Sequence, residues 1–356
     1  MTWHSLHVHY HEDLDALICA GVRPLFAAVR DLVEGAYYVR HWRRGPQLRL
    51  NFHTAALDSV LPVVEEIVGG FLARRPSTAV LDPLALLAEH ERLARLEADP
   101  GPLLPWRPDN SVHVEPYDDR THVLGSPEAA ALLVDFHVAT TDLAFRATSG
   151  VRAGGSRLSV AFDLMIATAH ALSGIGVAEG FVSFRSHAEG FLASHPGAAE
   201  LRPRWDRHYA THAESLERRV ASILSGRVPF VRDWVSVLEP IRVRAGKLIE
   251  SGRLALDTPW LRDNYDPGIR LDPARSAFHR ELDGERRRGR GSAQATWFLQ
   301  YRVMLNYLYL FLTKLGVKPG ERYLLCHLAA SAVEGAFGVS AFDVITRPDF
   351  GTVSLS

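Results

Sequence analysis

Cysteine is nearly absent: the 356 residues include two, Cys19 and Cys326. Both sit within apolar helical patterns, and neither belongs to a CxxC pair or lies beside a spaced histidine cluster. Nothing here supports a disulfide framework or a structural zinc site. Net charge is also scarce, at −1 with histidine neutral. That excludes an overall electrostatic preference for nucleic acid or an anionic membrane and leaves only local patches to inform on partners. No run approaches the roughly 20 apolar residues needed to cross a bilayer. The opening MTWHSLHVHYHEDLD lacks the basic start and apolar stretch of a secretory signal. The expected location is cytoplasmic, without membrane or nucleic-acid partners.

Apolar side chains, by contrast, are plentiful. With 47% hydrophobic and 23% charged residues the chain can bury a substantial core. Residues 3 to 11 alternate, with Leu6, Val8 and Tyr10 facing one way and His7, His9 and His11 the other, which predicts a half-buried strand. Asp13 can cap the helix that follows. Residues 36–42 and 47–53 predict two strands of a hairpin joined by Arg43, Arg44, Gly45 and Pro46. In the second, Leu48, Leu50 and Phe52 form an apolar face, while Gln47, Arg49, Asn51 and His53 form a polar face suited to lining a cleft. A helix is expected near 56–75 and a further strand through 111–117, with a mostly helical pattern beyond Ser126. Strands early and helices late predict an α+β fold: a small mixed or antiparallel sheet in the N-terminal third, packed against a largely helical remainder. One domain is expected over 1–356, strand-rich over 1–125 and mainly helical over 126–356. The segment GERRRGRGS, 284–292, reads as a mobile loop.

The same segments carry a resemblance in consistent order. WHSLHVHYHEDLDALICAGVRPLFAAVRD and the hairpin YYVRHWRRGPQLRLNF resemble the opening of the elimination domain of class I lanthipeptide dehydratases and its stand-alone thiopeptide relatives. VHVEPYDDRTHVLGSPEAAALLVDFH and FRSHAEGFL resemble later segments of that family, while 200–290 matches weakly. Glutamate-eliminating members commonly carry two alternating arginines in the second hairpin strand, and a C-terminal histidine shortly before Asn-Arg-Leu-Gly. Here the strand retains Arg49 with Asn51 in the second place, and the helix reads YLFLTKLGV, with Phe311 at the histidine position and Thr313 and Lys314 replacing Asn-Arg. Phenylalanine cannot exchange protons at neutral pH as imidazole does.

The resemblance therefore implies the pyridine synthase branch, whose reaction joins two dehydroalanines of a modified precursor peptide into a nitrogen heterocycle. Water and the leader peptide, as an amide, are then lost, with no metal or other cofactor required. Holding remote peptide segments together can supply much of the rate, since effective molarities reach roughly 10⁵ M or more. Two alternatives remain: a stand-alone glutamate-elimination enzyme that forms dehydroalanine, and a non-catalytic leader-binding scaffold.

Candidate site residues follow from SAQATWFLQYR and the hairpin. Ser292, Gln294 and Tyr301 supply a polar edge, with Tyr301 the preferred proton donor, and Trp297 a stacking surface. Arg49 is expected to stabilise an amide oxygen, with Arg40 and His53 holding substrate. Arg288 and Arg290, in the run with Arg286 and Arg287, are a patch for an acidic leader. His187 and Arg120 are second-rank candidates. The bland alternatives are core packing for Trp297 and Tyr301, and surface ion pairs for the arginines. His7, His9 and His11 share a strand face but lack further ligands, so no metal is expected. Other enzymes of the same pathway are conceivable partners.

Overall fold

The computed structural model describes residues 1–97, 99, 101–228, 230–256, 276–288 and 295–351. They form two compact units, one of residues 1–155 with 314–316, the other of the described residues in 156–313 and 317–351.

The first unit is built on an antiparallel sheet of β1 (Thr2–His9), β2 (Gly35–His41), β3 (Gln47–Thr54) and β4 (Ser111–Glu115), in the order β2-β3-β1-β4. The register sets Leu6 opposite Leu50 and Val114, and Tyr38 opposite Leu50, so apolar side chains line up across one face. Leu6, Val8, Tyr38, Leu48, Leu50 and Phe52 are all fully buried. Phe26 packs against Phe52 and Phe145 on this face. The opposite face carries His7, His9, Arg49 and Asn51. In the β2–β3 turn Arg44 and Gly45 both have positive φ, and a Cβ at Gly45 would stand 2.9 Å from His11 Nε2 and 3.1 Å from Trp106. Glycine is thus needed there for both conformation and space.

Helical segments of the first unit are α1 (Leu14–Leu17), α2 (Arg23–Ala28), α3 (Leu57–Val64), α4 (Gly70–Arg74), α5 (Leu87–Glu97), α6 (Thr121–Leu124), α7 (Pro127–Ala139) and α8 (Thr141–Arg152). Asp13 caps α1 by accepting from the Ala16 N–H, as its position predicts. A π-turn, Ile18–Val22, joins α1 to α2, and another, Glu65–Gly69, joins α3 to α4.

The second unit holds α9 (Arg157–Ala171), α10 (Val177–Gly180), α11 (Val182–Ser194), α12 (Ala198–Leu224), α13 (Val231–Glu250), α14 (Ala277–Arg287), α15 (Thr296–Lys314), α16 (Pro319–Phe337) and α17 (Ala341–Ile345); the last residue of α15 clusters with the first unit. Every residue from Leu325 to Val333 is buried, so α16 is covered on all sides. Its polar side chains find partners on neighbouring helices. Arg185 of α11 pairs with Glu334 and donates to Ser331 at 3.0 Å, and His327 lies 3.3 Å from Asp206 of α12.

The expected α+β architecture, with its sheet in the N-terminal third, is what the chain adopts. Part of the 284–292 segment differs from its loop reading, because Gly284–Arg287 form the last turn of α14, while 289–292 lie outside the described residues. Ion pairs at helical spacing close that turn, Arg286 with Asp283 and Arg288 with Glu285, and offset the low helical propensity of Gly284.

Candidate active site

A cavity of about 130 Å³ opens in the second unit among α10, α11, α14, α15 and Phe350. Trp297, Phe298, Tyr301, Arg302 and Leu305 of α15 line one wall, the spacing of a single helix face. Ser183, Ser186 and His187 of α11 line another, and Arg286 of α14 a third. Trp297 and Tyr301, singled out from sequence, thus stand together, joined by His187. Ser292, Gln294 and Arg290 lie outside the described residues.

The Tyr301 hydroxyl donates to the Gly180 carbonyl at 2.8 Å, and the side chain is 1% exposed. Burial raises its pKa, and Ser183 opposes this in part, so the phenol keeps its proton at all ordinary pH values. His187 Nδ1 lies 2.5 Å from the Tyr309 hydroxyl. Burial, reinforced by Arg322, His279 and Arg302, lowers the His187 pKa to about 4, so its imidazole is neutral at pH 7. Ser186 Oγ is 3.0 Å from His279 Nε2. The indole N–H of Trp297 and the Nε of Arg286 are buried without a hydrogen-bond partner among the described residues. Burial lowers the Arg286 pKa, Asp283 opposing and Arg302 adding to the effect. The cavity wall therefore combines an aromatic surface, neutral donors, the guanidinium groups of Arg286 and Arg302 and the carboxyl of Glu179.

The hairpin candidates belong to the first unit, where each meets an acid. Arg40 pairs with Asp15 and donates through Nε to the Lys314 carbonyl at 2.9 Å. Arg49 donates to His41 Nδ1 at 3.1 Å and to Asp99 at 3.4 Å, while its Nε is buried without a partner among the described residues. Asp99 also takes Arg43 and stands 3.4 Å from His41 Nε2. Two guanidiniums, those of Arg43 and Arg49, thus share one carboxylate that is 2% exposed. His53 pairs with Glu34 at 3.1 Å and stacks on Trp3. Arg120, in a left-handed backbone conformation, bonds Asp118 and the Glu97 carbonyl. In the second unit, Arg288 pairs with Glu281 and Glu285. Burial lowers the His7 and His9 pKa values to about 3, Arg49 adding to the effect at His7 and His113 at His9. Among the described residues no group of three or more His, Cys, Asp or Glu could hold a metal ion.

A family model described as the C-terminal region of lantibiotic biosynthesis dehydratases matches residues 3–333. The chain belongs to that family. Among solved structures it is similar to "Pyridine synthase, TbtD, from thiomuracin biosynthesis", at 39% identity over 95% of this chain and 99% of that one, with a TM-score of 0.78. TsrL shares the fold at 20% identity and a TM-score of 0.72, covering 98% of this chain and 99% of its own. The tRNA-dependent lantibiotic dehydratase MibB from Microbispora sp. 107891 shares it at 14% identity and a TM-score of 0.51, over 94% of this chain and 28% of its own. No curated protein matches the chain. Among the described residues no helix is long and apolar enough to cross a membrane.

Within this family member, Phe311 is fully buried against Trp234, with ring centroids 4.8 Å apart, and Trp234 donates its indole N–H to Thr168 at 3.0 Å. The position at which eliminating relatives are expected to carry histidine is thus apolar packing. The α15 stripe does not end at Tyr301. Its continuation, Leu305 and then Tyr309, follows the same four-residue spacing and reaches His187. His279 and Arg286 had no such signal, because their place beside α11 depends on how α14 folds back.

Proposed function

We propose that this chain is a thiopeptide pyridine synthase. The observation that carries this reading is the 39% identity to TbtD along nearly the whole length of both chains. Loss of the exchangeable proton at Phe311 and the paired state of Arg49 support it against glutamate elimination.

The substrate is a precursor peptide carrying two dehydroalanines and a leader, which other enzymes of the pathway would deliver. One dehydroalanine, with its neighbouring amide as the iminol, supplies the four atoms C=N–C=C. The other supplies two, and two carbon–carbon bonds close a six-membered ring. Loss of the iminol oxygen as water, and of the leader as its amide, each adds one unsaturation and leaves pyridine. No external oxidant enters this balance, and the reaction needs no metal, flavin or nicotinamide.

In this reading Trp297 provides the surface on which a flat heterocycle stacks, and the Tyr301 hydroxyl fixes the α10–α11 corner through Gly180. His187 donates to an amide oxygen as it gains charge, a role that asks for a neutral N–H rather than an acid. Ser292 and Gln294, which precede α15 in sequence, keep their proposed catalytic role. Arg40, Arg49 and His53 stabilise the hairpin through their acid partners, while Arg120 ties Asp118 to the end of α5 through the Glu97 carbonyl. Arg286 and Arg302 would attract the carboxylates of an acidic leader.

The test is a single incubation of purified protein with a fully dehydrated, heterocycle-bearing precursor, followed by mass spectrometry. Release of the leader as an amide, with a product lighter by that amide and one water, is expected. An unchanged peptide refutes the reading, and leader binding without conversion would favour a scaffold.

A further inference from the structure

Three side chains from three helices form a line behind the cavity. His187 of α11 lines it, the Tyr309 hydroxyl of α15 stands 2.5 Å from His187 Nδ1, and Cys326 Sγ of α16 stands 3.5 Å from that hydroxyl. The Arg322 guanidinium lies over the Tyr309 ring, 4.9 Å from its centroid. We propose that Tyr309 is a positioning residue for His187, its hydroxyl donating to Nδ1 and so holding the imidazole with its one proton on Nε2. The inference rests on the cavity being the reaction site proposed above.

Two proton arrangements satisfy this line. In the first the thiol donates to the phenol oxygen and the phenol donates to Nδ1. In the second Nδ1–H donates to the phenol oxygen and the phenol donates to sulfur. A phenol is a strong donor, an unprotonated imidazole nitrogen a strong acceptor, and thiol sulfur a weak acceptor. The first arrangement matches strong donor to strong acceptor; the second directs the phenol proton to the weakest acceptor present. All three groups are in the neutral states that both arrangements require, so donor and acceptor strength decides between them. Burial raises the Tyr309 and Cys326 pKa values, the latter to about 11, and keeps His187 neutral.

The consequence lies on the other nitrogen. With Nδ1 occupied, the ring turns a neutral Nε2–H toward the cavity. Such a donor can serve an amide oxygen throughout iminol formation and leader departure without first taking up a proton. The opposite tautomer would present a lone pair, which repels the same oxygen. The ligand chemistry this site recognises is therefore a peptide carbonyl.

Tautomers can be read without substrate. Full-length protein labelled with ¹⁵N in its histidines is examined by two-dimensional correlation of ring nitrogens with ring protons, and His187→Gln identifies the His187 signals by their loss. The wild type is expected to show the proton on Nε2 alone, and Tyr309→Phe to populate the Nδ1–H form. Cys326→Ala is expected to retain the wild-type pattern, because the thiol in this arrangement only donates. A wild-type proton on Nδ1, an unchanged tautomer in Tyr309→Phe, or a tautomer flip in Cys326→Ala would each overturn the proposal. Should Tyr309→Phe fail to fold, the wild-type and Cys326→Ala spectra still decide it. On conversion of dehydrated precursor, Tyr309→Phe is expected to lower kcat about five- to tenfold at unchanged KM, a split that a general loss of folded protein does not give. A wild type with the expected tautomer but no conversion would instead count against the proposed function.

Discussion

Replacing Lys314 with methionine is expected to change the pH dependence of stability in a specific way. The ammonium is 2% exposed and lies 5.2 Å from the centroid of the Tyr38 ring. It donates to the His137 carbonyl at 3.1 Å and to Thr141 Oγ1 at 3.2 Å. Among the described residues no carboxylate comes within ion-pairing distance of it. Burial alone lowers its pKa from 10.5 to about 7. A lysine with a depressed folded-state value makes the native state bind fewer protons than the unfolded chain between those two pH values, so stability rises with pH across that interval. Below about pH 7 the whole penalty is present, and the gap between 10.5 and about 7 corresponds to about 5 kcal/mol. Methionine keeps the apolar stem and removes the charge, at a loss of two hydrogen bonds worth about 1 kcal/mol each. The variant should therefore be more stable than wild type by about 3 kcal/mol at pH 6, equal near pH 9 and less stable by about 2 kcal/mol above pH 10.5. Guanidinium unfolding of both proteins at pH 6, 7.5, 9 and 10.5 gives the comparison. A stability difference that does not change with pH would show that Lys314 titrates normally and would refute the argument.

Asp99→Asn should destabilise the protein by about 3 kcal/mol at pH 7, since it leaves the buried Arg49 and its neighbour Arg43 without their carboxylate. Burial pushes the Asp99 pKa up, but Arg43 and Arg49 outweigh it and hold the carboxyl below its ordinary value. Its stabilisation is therefore present above about pH 4 and is lost as pH falls through the folded-state value. The difference between variant and wild type in urea unfolding should shrink below pH 4. Trp297→Ala should lower kcat/KM for the dehydrated precursor about tenfold, chiefly through KM, as expected for a lost stacking surface worth about 1.4 kcal/mol; unchanged kinetics would remove Trp297 from the site. Phe311→His places an imidazole against Trp234 in full burial. It should cost about 2 kcal/mol of stability and yield no dehydroalanine from a glutamylated serine peptide, and elimination activity in this variant would revive the dehydratase reading.

What the sequence discloses depends on whether a contact is local or depends on the tertiary fold. Period-two alternation placed β1 and the β2–β3 hairpin to within a residue or two, because one apolar sheet face forces that alternation wherever the strands pair. The Asp13 cap was equally legible, since donor and acceptor lie three residues apart. α14 continues through Gly284–Arg287, which read from sequence as loop because an arginine-rich stretch with a glycine carries no apolar period, and the ion pairs that close its last turn form only once helical geometry sets Arg286 beside Asp283 and Arg288 beside Glu281 and Glu285. The same division runs through the candidate site. Trp297 and Tyr301 are one turn apart on a helix, so their association was readable. His187 and Tyr309 are separated by 122 positions, and no local pattern announces their 2.5 Å approach. Arg49 illustrates the converse. Its strand face was correctly read as polar, yet Asp99, with which it pairs, lies 50 residues away beyond α3, α4 and α5. A candidate drawn from a pattern thus supplies a residue and a face, and only the partner found across the fold decides whether its charge is still available to a ligand.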